Sequence, residues 1–538
     1  MTKALENGTD LDEEAPVEII VAEDVPTSPE SAGTATSSAH KIWLNRGLLL
    51  GVFAVQAVLS LRLRNTAFED EALYLYVGHL QIGHLFHGTP VPDFLSSYIS
   101  GSPMLYPVLG AAADTAFGLA GARVLSLLFM LGTTALLYQL TRLLFNRRVA
   151  LCAAAVFAVT QSTLFLGNFA TFDAPVLFLL ALATWIVVRT ASRPAWATCL
   201  FAAPVLTLAV AVKYVALIYV PVVIAVAVLV GFSYRGARAL LRGLALPTLV
   251  TAALAGALAV GGGRYLGALR TTTTERAFGH DRPMDLLLDC LRWGGLMLAV
   301  ALLGAVLYIW RAHRGEVHGL INAATPGRWW RACLGLLLCG ATLLAPAYQM
   351  YLHTHVSLHK HIGYGLLFAA PMAGVGITRL VGTHFRFPQF GPLIWVALLA
   401  LGMSQSQELY RVWPNSAELV ATLKSQVVTD GHYLVEANSP PRYYLREQTQ
   451  PQQWTSTYAI TYDGNKSAPL AGEAGYRKAI ADGYFDVIVF DRTVTKELDN
   501  KLAEQLASSP SYRLLTKLPF TNTRGSGVYE IWVKATPP

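Results

Sequence analysis

Residues 43–77 read WLNRGLLLGVFAVQAVLSLRLRNTAFEDEALYLYV. The first part, Trp43 to Leu61, is apolar for long enough to cross a bilayer core of ~30 Å at ~1.5 Å per residue. The acidic triplet Glu69-Asp70-Glu71 follows directly. Carboxylates beside a bilayer are expensive to place and tend to be functional. Ala72 to Val77 then reads as a helix lying on the membrane surface. Acids also suit the first turn of any helix through its dipole, so the triplet taken alone admits both readings.

The rest of the chain has the same character. Its 538 residues are 54% hydrophobic and 14% charged. A soluble globular chain carries ~25% charged residues, so this composition is that of a polytopic membrane protein. The net charge of +7 does not imply a nucleic-acid partner. The basic residues gather in short loops between apolar spans, where they set orientation. Cys152, Cys199, Cys290, Cys333 and Cys339 all fall in or beside apolar spans. None has zinc-ligand spacing, and they read as small apolar packing residues. Residues 1–40 are acidic, rich in Ser, Thr and Pro and without apolar periodicity, and read as a disordered cytoplasmic tail.

Five basic loops share one side under the positive-inside bias: Arg142–Arg148, Arg189–Arg193, Tyr234–Arg242, Arg311–Arg331 and Arg379–Arg386. The N-terminus is then cytoplasmic. The triplet, Asp173, Lys213, the loop Arg264–Pro283 and the histidine-rich loop His353–His361 lie outside. This requires that Met104–Ala120, which contains Pro107 and Asp114, does not cross the membrane. The expected architecture is α-helical with about eleven spans. Residues 41–410 form the membrane domain. Residues 411–538 form a small extracytoplasmic α/β domain, with strands expected at His432–Ala437, Phe485–Phe490 and Val528–Val533 and helices at Ala474–Ala481 and Thr495–Ala507.

Four features converge on the outer face. They are the triplet, Thr171-Phe172-Asp173-Ala174-Pro175 at a turn between spans, Lys213-Tyr214 inside a long apolar run, and His359-Lys360-His361. Each has a plainer reading. Asp173 also suits a helix cap, Lys213 also suits a snorkelling lysine, and the four histidines from His353 to His361 match no zinc signature. Together they suit one chemistry. A departing lipid phosphate needs fixed cations, and an acceptor hydroxyl needs a carboxylate base within hydrogen-bond reach.

Phe68-Glu69-Asp70-Glu71-Ala72-Leu73-Tyr74 resembles the acidic motif in the first outer loop of GT-C glycosyltransferases. The branch it most resembles is glycosyltransferase family 39, the protein mannosyltransferases and aminoarabinose-transferase-like enzymes. Tyr106-Pro107, Gly121-Ala122-Arg123-Val124-Leu125-Ser126, Phe172-Asp173-Ala174-Pro175, Lys213-Tyr214 and His359-Lys360-His361 follow in the family's order across residues 43–385. The resemblance implies a plasma-membrane glycosyltransferase that uses a polyprenyl-monophosphate sugar and inverts the anomeric carbon. Its acceptor would be a glycan, lipid or protein. It implies Asp70 as the catalytic base and Glu71 as its neighbour in acceptor or metal contacts. Asp173, Lys213, His359, Lys360 and Tyr74 become substrate-binding candidates. The histidines before Gly363 stand where relatives often show Arg and Tyr. A divalent metal is compatible with this reading and not required by it. A transporter or flippase, and a non-catalytic scaffold of a cell-envelope polysaccharide machine, are the competing classes. The lack of any internal repeat argues against the first.

Overall fold

The computed structural model describes residues 46–261, 278–310, 327–382, 385–464 and 469–535, together with 267, 269, 270 and 275. The acidic tail at 1–40 and the arginine-bearing positions 264, 276, 311 and 314 lie outside the described residues. Residues 49–538 form one compact unit.

The helical part begins with α1 (Arg46–Ser60), α2 (Glu69–His87), α3 (Tyr106–Leu144), α4 (Arg147–Ala158), α5 (Gln161–Leu166) and α6 (Asp173–Arg189). It continues with α7 (Ala195–Val212), α8 (Val220–Arg235), α9 (Leu240–Gly261), α10 (Pro283–Trp310), α11 (Arg328–Gly340), α12 (Leu344–Leu352), α13 (Leu358–Val381) and α14 (Phe390–Leu409). Among the described residues, six helical stretches are long and apolar enough to cross a membrane. This is fewer than the eleven expected from hydropathy alone. Residues 214–260 count as one stretch although they hold both α8 and α9, and α4 and α6 stop short of the length required.

The expectation for residues 104–120 rests on Pro107 and Asp114. Helix α3 runs for 39 residues, about 58 Å at ~1.5 Å per residue, roughly twice the hydrocarbon core. It is broken at Gly118, whose φ of 67° and ψ of −170° leave helical space. A residue with a β-carbon rarely adopts that φ, so the glycine separates residues 106–117 from the long apolar segment after it.

Helix α13 is the central element. Of its apolar window, 83% is buried inside the protein, against 39–50% for the other five stretches. It packs on α10 through glycines. A β-carbon on Gly304 would meet the Met372 carbonyl oxygen at 2.0 Å. Small residues at such contacts let helix backbones approach closely where lipid offers no hydrophobic drive.

The C-terminal part contains α15 (Ala417–Lys424), β1 (Tyr433–Val435), α16 (Ser439–Tyr444), β2 (Trp454–Thr455), β3 (Thr461–Tyr462), β4 (Leu470–Ala471), α17 (Gly472–Ala481), β5 (Val487–Phe490), α18 (Lys496–Ser508), β6 (Tyr512–Asn522) and β7 (Gly525–Lys534). The main sheet has the order β2-β1-β5-β7-β6. Strand β1 is parallel to β2 and β5, while β7 is antiparallel to β5 and β6. Successive side chains face opposite sides of a strand. Tyr433, Val435, Val487 and Val489 therefore enter one apolar cluster with Leu419 and Ile531, and Leu434, Ile488 and Phe490 enter another with Ile480 and Leu502.

Glu436, at the end of β1, shapes the loop after β5. Its oxygens accept hydrogen bonds from the backbone N–H groups of Asp491 (2.9 Å), Arg492 (2.6 Å), Val494 (2.6 Å) and Thr495 (2.8 Å). Helix α16 docks this part on the helices. Tyr443 donates to Asp114 Oδ1 at 2.6 Å, and His79 Nε2 lies 2.6 Å from Asp114 Oδ2. Tyr444 Oη accepts from the Ala67 backbone N–H at 2.9 Å.

Candidate active site

The triplet forms the first turn of α2, where its charges suit the helix dipole. Helical geometry sends the three carboxylates in different directions, and each meets a different environment. Asp70 faces α13. Its Oδ2 lies 2.5 Å from Lys360 Nζ. The pair is asymmetric, because the Lys360 side chain is 4% exposed and that of Asp70 is 41% exposed. The carboxylate is therefore anchored on one side and open on the other. Burial pushes the Asp70 pKa up, but the Lys360 charge and hydrogen bond, with Lys213 behind them, outweigh it and hold it below the usual carboxylate value. Asp70 is thus ionised at neutral pH.

Behind this pair lies a second one. Asp173 is the first residue of α6 and is fully buried. Its Oδ1 accepts from Lys213 Nζ at 2.6 Å and from Tyr364 Oη at 2.9 Å, and its Oδ2 accepts from Thr171 Oγ1 at 3.1 Å. Lys213 reaches it because α7 ends at Val212 and Lys213 itself is extended, with φ −150° and ψ 127°. A neighbouring loop secures that break. Ser102 N–H donates to the Ala211 carbonyl at 2.8 Å, and Tyr214 N–H donates to the Ser100 carbonyl at 2.9 Å. A β-carbon on Gly101 would lie 1.8 Å from the Val212 carbonyl oxygen, so only glycine permits this approach. Asp70, Asp173, Lys213 and Lys360, drawn from four separate segments, thus form one cluster.

Glu71 faces the protein interior and is fully buried. Arg123 grips it through Nε to Oε1 at 2.9 Å and Nη2 to Oε2 at 2.7 Å. The Ala170 and Phe68 backbone N–H groups complete its shell at 2.8 and 3.1 Å. Arg123 also donates to the carbonyls of Asn65 and Thr66. This unit ties together the strap before α2, α3 and the loop before α6. In the sequence Arg123 stands within a motif, but nothing there identifies its partner. A buried bidentate pair across 52 positions leaves no local signal.

Aromatic rings wall the cluster. Tyr74 packs on Phe172 with ring centroids 4.5 Å apart, and Lys360 Nζ lies 5.7 Å from the Phe169 ring centre. His359 meets Phe165 edge-on at 5.5 Å. His361 lies 3.2 Å from Gln349 Nε2. His355 instead faces Asp289, at 2.9 Å. Among the described residues, no three His, Cys, Asp or Glu side chains are placed to hold a metal ion.

Residues 111–260 match the family model for dolichyl-phosphate-mannose-protein mannosyltransferases. Over that stretch the chain resembles the mannosyltransferase kind of membrane glycosyltransferase. The matched stretch is a little over a quarter of the chain and contains Arg123, Asp173 and Lys213. No curated protein matches the chain. Three solved structures resemble it at 14% identity. An Archaeoglobus fulgidus oligosaccharyltransferase with zinc and sulfate has a TM-score of 0.47, covering 89% of this chain and 72% of that one. ArnT from Cupriavidus metallidurans in the apo state has a TM-score of 0.40, covering 91% and 98%. The arabinofuranosyltransferase AftD from Mycobacteria has a TM-score of 0.49, covering 91% of this chain and 40% of that one.

Proposed function

We propose that this glycosyltransferase moves a sugar from a polyprenyl-monophosphate donor to an acceptor hydroxyl on the outer face of the membrane, with Asp70 as general base. The observation that carries this is the asymmetric Asp70–Lys360 pair, a carboxylate held ionised by a buried cation yet open to a partner. The matched family model, named for a dolichyl-phosphate sugar donor, supports a lipid-phosphate donor. The basic loops support an external site.

The chemistry follows from the charges. The cluster holds two carboxylates and two lysines. A donor phosphate entering beside Lys360 competes with Asp70 for the ammonium. As Lys360 turns to the phosphate, Asp70 loses its strongest stabilising neighbour and becomes more basic just as the donor arrives. Asp70 then takes the acceptor hydroxyl proton while the acceptor oxygen attacks the anomeric carbon. The bond from that carbon to the phosphate oxygen breaks, its electron pair leaves with the polyprenyl phosphate, and the anomeric configuration inverts. Lys213, held on Asp173, contributes positive charge from behind, and His359 and Tyr74 line the approach. Glu71 acts as a positioning residue through Arg123.

The test is to incubate purified protein with a panel of polyprenyl-phosphate sugars and follow donor hydrolysis or transfer. Consumption of at least one donor is expected. Inertness toward all of them would favour the scaffold or transporter class.

A further inference from the structure

Among the described residues, the Asp70 side chain makes one hydrogen bond, to Lys360. Lys360 is itself buried on α13, the central helix. Where the carboxylate stands opposite that ammonium is therefore set by the backbone that delivers it. That backbone is the first turn of α2 and the strap of residues 61–68 between α1 and α2. Phe68, just before the helix, has no side-chain oxygen with which to cap it, so the start of α2 leans on the strap.

Residues 65–67 of the strap are gripped twice. The first grip comes from the helices, where Arg123 donates to the Asn65 carbonyl at 2.9 Å and to the Thr66 carbonyl at 3.2 Å. The second comes from the segment after α14 and from α16. Asn65 Nδ2 donates to the Trp413 carbonyl at 2.8 Å. Thr66 Oγ1 accepts from the Ser416 backbone N–H at 3.0 Å and from the Ser416 hydroxyl at 3.1 Å. The Ala67 N–H donates to Tyr444 Oη at 2.9 Å. Tyr443, the next residue on α16, is bonded to Asp114 of α3, so α16 is fixed on the helices while Tyr444 holds the strap. Ala67 and Ser416 are buried, so losing either partner leaves a buried donor unmet.

We infer that the C-terminal part is a working component of the active site, with Thr66 and Tyr444 as positioning residues that hold Asp70 opposite Lys360. Two bonds to one guanidinium fix the strap at a single place and leave it a pivot. The ties to Ser416 and Tyr444 add two more fixed places, four and three residues before Asp70. A base displaced by about 1 Å can lose on the order of 10²-fold in rate, so these ties bear on turnover without touching substrate. Lys360 and Lys213 lie outside the strap, and donor binding does not depend on it. The effect on turnover rests on Asp70 as the general base, whereas the placement of Asp70 does not.

The experiment reads placement and turnover separately, on full-length protein in lipid nanodiscs. A water-soluble carbodiimide joins the Asp70 carboxylate to the Lys360 amine with no spacer, and mass spectrometry of the joined peptides measures the yield against an Asp70→Asn blank. Donor consumption gives kcat and KM. The near-isosteric variants Thr66→Val and Tyr444→Phe each lower the cross-link yield several-fold and lower kcat about ten-fold or more, with the donor KM within about two-fold of the parent. Thr66→Ser, which keeps the oxygen, restores most of both. Tyr433→Phe removes a buried hydroxyl bonded to Val428 inside the sheet. It costs stability and leaves both readouts as in the parent. The inference is overturned if Thr66→Val and Tyr444→Phe change neither readout, if Tyr433→Phe lowers both as much, or if the parent forms no cross-link. A cross-link lost with turnover intact contradicts Asp70 as the base and leaves its placement by the C-terminal part standing. Turnover lost with the cross-link intact overturns the placement and leaves the base.

Discussion

Arg123→Met leaves Glu71, a fully buried carboxylate, without the guanidinium that now contacts both of its oxygens. Breaking one side of a buried ion pair costs about 3–5 kcal/mol, because the remaining charge stays desolvated. The Phe68 and Ala170 N–H groups still reach Glu71, which places the expected loss near the lower end, about 3 kcal/mol. That is roughly a hundred-fold in the folding equilibrium. Glu71→Gln loses less, about 1–3 kcal/mol, since the amide keeps one acceptor oxygen but turns its own donor toward an N–H group. In the double variant Glu71→Gln/Arg123→Met the two effects do not add, because the stranded charge is gone. Denaturant unfolding in detergent, followed by tryptophan fluorescence, measures all four proteins. An Arg123→Met loss under about 0.5 kcal/mol, within the range of an ordinary surface change, would refute the buried-pair argument. A Glu71→Gln protein as stable as the parent but without turnover would make Glu71 a chemical participant instead of a brace.

Lys360→Met removes a charge-assisted contact of about 1.5–3 kcal/mol and weakens donor use about ten-fold or more, with Arg restoring part of it, measured as the donor KM. In the α/β part, burial first and Glu436 second push Asp491 and Asp499 up to about 8. Carboxyls raised this way favour the fold while protonated, so their contribution is present below the ordinary carboxylate range and lost as pH rises through about 8. Hydrogen exchange in the loop after β5 should therefore quicken between about pH 4 and about pH 8 beyond its intrinsic base-catalysed rise, and no further above that, which is the window those values define. Asp499→Asn should flatten that excess, and an excess unchanged by the substitution would remove this cause. Reporter fusions at Phe145, Asp173, Arg238 and Asn415 should read inside, outside, inside, outside, and an inside reading at Asn415 would place the proposed site on the wrong face.

Much of this arrangement is visible in the chain before folding, and the reasons are local. Apolar runs with basic ends mark a polytopic protein, and charges stranded at span ends are conspicuous because so few surround them. Short continuous apolar runs mark β1 and β5, and alternating burial marks β7. Strand β6 was missed because it lies at the sheet edge with most of its side chains partly or fully exposed, so no buried face alternates along it. Residues joined only by the fold were also invisible. Asp70 and Lys360 are 290 positions apart, and their contact could be argued from shared chemistry but not located. Arg123 carries no such cue, since it sits within an apolar helix and acquires meaning only from the acid placed next to it.

The most direct test of the account is the turnover of purified Asp70→Asn with a donor that the unaltered protein consumes. Asparagine keeps the shape and loses the proton acceptor. The account predicts a rate lower by about 10²–10⁴-fold, the usual loss when a positioned base is removed, with donor binding retained because Lys360 is freed for the phosphate. Turnover within roughly two-fold of the parent, far inside that range, would contradict Asp70 as the base and with it the proposed mechanism.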